Sequence, residues 1–133
     1  MIKSFYDEVF CVEVRAFVMP VEKMQKWLKG NKCEYELHHD AQGFCYYDTK
    51  VGYIIWLKDP KDFYCLLHEV IHLVGLALDR NGVGACLMVN PNQVDETVAY
   101  YIQFWFRKLW RFFGNQKRSK IKKDLGLKFI INV

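Results

Sequence analysis

An α+β fold is the class this chain predicts, and three observations carry it. Strand-like runs cluster in the first half, and two long stretches free of strong helix breakers fill much of the second. The third is size: 133 residues, 52% hydrophobic and 26% charged, can bury one compact core without disulfides or coiled-coil pairing. Aromatic residues reach 17% of the chain, a bulky supply that must be buried or used at a surface.

Taken in order, residues 5–18 mix β-branched and aromatic residues with partial alternation through Phe10, Val12, Val14, Ala16 and Val18, which predicts one strand. Pro20 suits a helix start, and Val21, Met24, Trp27 and Leu28 then recur at helical spacing until Gly30. Residues 44–48 and 51–57 are β-rich runs split by Thr49 and Lys50, the pattern of two antiparallel strands. Asp59 and Pro60 read as the cap and first turn of a long helix that Asn81 and Gly82 stop. A second long helix is expected from Asn90-Pro91 or Asn92 to Gly114. Beyond it, residues 115–125 suit a frayed helical extension and residues 127–133 a terminal strand. Nothing marks a boundary, so residues 1–133 are expected to form a single domain with a basic C-terminal extension over 115–133.

No apolar run approaches the roughly 20 residues of a membrane span, and Asp7 and Glu8 interrupt the N-terminus before a signal peptide could form. A soluble, cytoplasmic chain is expected. Five cysteines without a CxxC pair argue against a disulfide framework or zinc ribbon. Charge is divided. Residues 1–106 carry 10 basic and 14 acidic side chains, net −4, whereas residues 107–133 carry 9 basic side chains against Asp124, net +8.

The chemistry sits inside the first long helix, where His68-Glu69-Val70-Ile71-His72 forms an HExxH motif. At about 100° per residue the two histidines lie roughly 40° apart and about 6 Å along the axis, so both imidazoles can reach one metal ion. Glu69, offset by about 100°, can address a water on it. A catalytic zinc needs a third protein ligand and an open position. Glu96 opens the second long helix 24 residues after His72, and Tyr100, Gln103, Arg107 and Arg111 continue its polar stripe opposite Val98, Tyr101, Ile102, Trp105, Leu109 and Phe112.

HEVIH followed by an ExxAY helix resembles the gluzincin branch of the zincin metallopeptidases and is similar to small HExxH proteins encoded by phages and prophages. The resemblance covers residues 51–106. It implies a minimal zincin-like domain, α+β, with a small, mostly antiparallel sheet, an HExxH helix and a glutamate-bearing second helix. It further implies Zn²⁺ held by His68, His72 and Glu96, with Glu69 as the general base that activates water against a peptide carbonyl. The strand VGYIIWL would be the edge strand that pairs with an extended peptide or protein substrate. Thermolysin-type members carry an acidic residue four positions after the glutamate ligand; here that position is Tyr100. No histidine follows His72, so Tyr100 or Tyr101 is left to stabilise the oxyanion.

Rival assignments stay beside this one. Asp79 returns to the histidine face but about 10 Å along the axis from His72, too far to share its metal. Cys65 lies one turn before His68, where a buried inert thiol is the commoner case. His38-His39-Asp40 could supply a ligand or an oxyanion donor, although a loop is the simpler reading. The aromatic residues 105–113 and the basic tail Lys117, Arg118, Lys120, Lys122 and Lys123 leave open a binder on a zincin scaffold, docking an acidic protein or nucleic acid. No nucleic-acid fold signature accompanies the tail.

Overall fold

The computed structural model describes residues 2–81 and 96–124, with side chains over 97–115 in the last helix. Its elements are β1 (Ile2–Asp7), β2 (Val12–Val18), α1 (Val21–Gly30), β3 (Gly43–Asp48), β4 (Gly52–Leu57), α2 (Phe63–Arg80) and α3 (Glu96–Asp124). The α+β class expected from the residue pattern is the class observed. Among the described residues no helix is long and apolar enough to cross a membrane.

One four-stranded sheet, in the order β1-β2-β4-β3, organises the chain. β1 pairs with β2 and β3 with β4 antiparallel, but β2 pairs with β4 in parallel, Val14 opposite Tyr53 and Val18 opposite Leu57. The sheet is therefore mixed. The parallel step follows from the connection: α1 and β3 intervene between β2 and β4, supplying the crossover that parallel neighbours need.

The single strand expected over 5–18 is a hairpin. Its alternation is only partial because residues 8–11 turn, with Cys11 at φ 53° and the Asp7 carboxylate accepting from Val9 N (2.9 Å) and Phe10 N (3.3 Å). Asp48 plays the same part between β3 and β4, where its Oδ1 accepts from Lys50 N and Val51 N, both at 2.8 Å, and Gly52 takes the positive φ that closes the turn. Burial works against the Asp48 charge, but these amides and the Tyr46 hydroxyl outweigh it and hold its carboxyl below the ordinary 3.8. A lowered carboxylate stabilises the fold above that ordinary value and stops doing so as pH falls through the folded value. The melting-temperature advantage of wild type over Asp48→Asn is accordingly expected at pH 5–7 and should vanish on acidification, as a paired pH series of thermal melts will show.

Side-chain alternation divides the core between the two faces of the sheet. Phe17, Ile54 and Trp56 face α1, where they meet Val21, Met24 and Leu28. The Trp56 indole donates to Met19 O at 2.8 Å, which satisfies its one polar atom. On the opposite face Val12, Val14, Ala16, Tyr53, Ile55 and Leu57 meet Leu66, Val70, Leu73 and Val74 of α2 and Val98, Tyr101, Trp105 and Leu109 of α3. Residues 53–57 of β4 are all buried. That run belongs to a central strand, so the expectation that VGYIIWL is the edge strand is corrected: the edges are β1 and β3, with β3 the one beside it.

α2 begins three residues later than the Asp59-Pro60 signal suggests. Asp59 instead closes a preliminary turn through Lys61 N (2.9 Å), and Asp62 is the cap, its Oδ1 accepting from Cys65 N at 3.0 Å. α3 does not stop at Gly114 but continues to Asp124, the extension anticipated over 115–125. The expected start at 90–92 and the strand 127–133 lie outside the described residues.

Candidate metal centre on helix α2

The HExxH residues occupy the middle of α2, a helix that needs no special pleading: it is capped by Asp62, rich in leucine and anchored by Leu66, Val70, Leu73, Val74 and Ala77 in the core. That anchoring fixes its rotation. His68 and His72 are turned to solvent, and their Nε2 atoms share a hydrogen bond of 3.1 Å with ring centroids 4.7 Å apart. Two imidazole nitrogens bound at about 2.0–2.1 Å to one tetrahedral ion stand about 3.3 Å apart, so the pair is held at a spacing one ion can bridge.

Glu69 lies on the inner side of the same turn, only 7% exposed. Burial raises the proton affinity of its carboxyl, and the neighbouring His68 and His72 oppose that rise. Its other neighbours are thiols. Burial first and the Glu69 charge second push Cys45 of β3 up to about 12 and Cys65 up to about 11. Gly43 permits this close approach of α2 to the edge strand, because a Cβ there would stand 2.6 Å from Cys65 Sγ and 2.8 Å from Trp56 O. Cys65 is thus held as a neutral thiol against β3. With Cys86 replaced by serine, alkylation at pH 8 is expected to modify exposed Cys11 first and Cys33, Cys45 and Cys65 far more slowly, measured by mass spectrometry of timed digests.

α3 packs on the other flank of α2. The Phe63 ring meets Phe106 at 5.1 Å and Trp110 at 5.3 Å, and at 100° per residue His68 and His72 lie roughly 140° and 180° around the helix from Phe63. Glu96 is the first residue of α3, and its side chain lies outside the described residues. Tyr100 is 66% exposed on α3. Tyr101 is directed into the core, where its hydroxyl donates to Asp7 Oδ2 at 2.7 Å, so it stabilises the β1–β2 hairpin rather than an oxyanion.

Of the residues singled out from the sequence, His68 and His72 are brought into contact, with Glu69 buried on the inner side of the same turn. Among the described residues the set of three donors mutually within 4.8 Å is a different one, His38, His39 and Asp40, all exposed in the loop between α1 and β3. There His39 Nε2 stands 3.3 Å from Asp40 Oδ2, and the Asp40 amide donates to His38 Nδ1 at 3.2 Å. Asp79 is exposed near the end of α2, as expected of a solvated helix-end residue. The floor formed by Gly43 and Cys45 was not anticipated; its signal, a glycine two residues before a cysteine in a β-rich run, acquires meaning only once β3 is known to be an edge. Comparison of the chain with protein-family models, with curated proteins and with solved structures found no match.

Proposed function

We propose that the chain is a minimal, gluzincin-like zinc peptidase that hydrolyses extended peptides, with His68, His72 and Glu96 as metal ligands. The observation that carries this reading is the 3.1 Å approach of the two Nε2 atoms beside a buried glutamate on the same helix turn. Zinc, when bound, supplies a Lewis acid that polarises a carbonyl and makes water more acidic. The remaining work falls to side chains and backbone. Glu69, half-enclosed by Cys45 and Cys65, accepts a proton from the attacking water and returns it to the leaving amine. Tyr100 donates to the developing oxyanion. The edge of β3, on the sheet face that packs α2, offers backbone groups that align an extended substrate.

A second reading is favoured by the placement of α3 on the flank of α2 away from the imidazoles. In it the histidine pair lacks a glutamate partner, and the scaffold binds a protein without cleaving it. Metal analysis separates the two. In a His38→Ala/His39→Ala background, which removes the exposed loop donors, about one zinc per chain is expected after dialysis, and none after His68→Ala/His72→Ala. Glu96→Ala should weaken zinc binding roughly tenfold or more. Unchanged affinity in Glu96→Ala removes it as a ligand, and no zinc in the parent leaves the second reading.

A further inference from the structure

We propose that the exposed stripe of α3 binds single-stranded nucleic acid, stacking bases on its aromatic rings and holding phosphates with its arginines. From Tyr100, steps of four, three and four residues reach Phe104, Arg107 and Arg111, all exposed and, by the helical repeat, on one face. Phe104 is 37% exposed with the Lys108 ammonium 4.7 Å from its ring centre, and Trp110, 39% exposed, lies about 80° around the helix from Tyr100, stacked on Phe106 and touching Phe63 at the contact with α2. No ion pair among the described residues involves Arg107, Lys108 or Arg111. Among the described residues the only ion pairs are those of His38 and His39 with Asp40, and the sequence from Thr97 to Lys123 contains no acidic residue. The backbone of α3 continues to Asp124, and the sequence over that stretch adds Lys117, Arg118, Lys120, Lys122 and Lys123 to the charge of the helix.

The mixture of rings and cations on one face selects the occupant. A helix lying on an anionic membrane puts its aromatic residues and its cations on opposite faces, one in lipid and one at the headgroups. Acidic protein would satisfy the arginines yet offer few planar faces to Tyr100, Phe104 and Trp110. Duplex nucleic acid keeps its base faces stacked inside. A single strand presents both, planar bases and a phosphate for every base, at a repeat that rings and guanidiniums one helical turn apart can follow.

Fluorescence anisotropy of the full chain with a labelled 20-nucleotide oligo-dT, between 50 and 300 mM salt, tests this. Binding is expected, with Arg107→Ala/Arg111→Ala both weakening it and lowering the salt slope by about 1.4, and with Phe104→Ala and Trp110→Ala each weakening it roughly fivefold or more at unchanged slope. Circular dichroism checks folding, and Phe104→Ala suffices should Trp110→Ala misfold. His68→Ala/His72→Ala is expected to bind the strand as wild type does, which keeps this outcome separate from that of the metal centre. Absence of binding at 50 mM salt overturns the proposal. So does equal affinity of both ring variants, with polyglutamate or phosphatidylserine vesicles competing as well as the oligonucleotide; that result marks an acidic protein or a membrane as the partner.

Discussion

Glu69→Gln is expected to leave zinc binding in place and to lower peptide turnover by about 10²–10⁴-fold. The amide keeps the shape and hydrogen-bonding reach of the carboxylate but cannot take a proton from water. It also removes a charge that the fold buries at 7% exposure with a raised proton affinity. After chelation of metal, the variant should therefore melt above wild type at neutral pH, by a stability gain on the order of 1 kcal/mol. Turnover and melting thus move in opposite directions. A screen of zinc-loaded protein against a peptide library, followed by thermal melts of chelated samples, reads both. Equal turnover in variant and wild type would remove Glu69 from the chemistry.

Asp7→Ala is expected to destabilise the protein by about 3 kcal/mol, on the order of 10 °C in melting temperature. Its carboxylate, 4% exposed, accepts from the amides of Val9 and Phe10 and from the Tyr101 hydroxyl. Truncation leaves all three donors without that acceptor, the hydroxyl in a buried site where water does not replace it. Tyr101→Phe removes one of the three and should cost about 1 kcal/mol. The double variant should lose less than the two single losses added, because both disrupt one hydrogen bond. Additive losses in urea titrations would show that the two groups act independently.

Local signals account for what the sequence made legible. The HExxH helix, α1 and the β3–β4 hairpin are each defined by residues within about 20 positions of one another, and the apolar periodicity that identifies α2 also orients its histidines. What escaped is non-local or finely balanced. The parallel pairing of β2 with β4 depends on a crossover that no residue in either strand records. Asp59 and Asp62 each stand directly before a plausible first helical residue, Pro60 or Phe63, and the local sequence does not separate them; in the fold Asp62 caps the helix and Phe63 packs against Phe106. The flank of α2 taken by α3 is likewise settled by aromatic contacts across 43 or more positions, beyond the reach of motif spacing. Tyr100 and Tyr101 differ by one residue and by 100° of helix, and the buried Asp7 distinguishes them.

The contact between Asp7 and Tyr101, 94 positions apart, also governs timing. A chain emerging from the ribosome at about 5–20 residues per second presents Asp7 roughly 5–20 s before its hydroxyl partner exists. Until then β1 has only β2 beside it, and its Phe5 and Phe10 rings lack the α3 side chains Phe112 and Tyr101 that they later meet. The β1–β2 hairpin is thus among the last parts of this fold to be completed, and its Phe5 and Phe10 rings stay uncovered until α3 has emerged. A variant with a weakened Asp7 contact should accordingly suffer more in soluble yield during expression than in refolding of the complete chain.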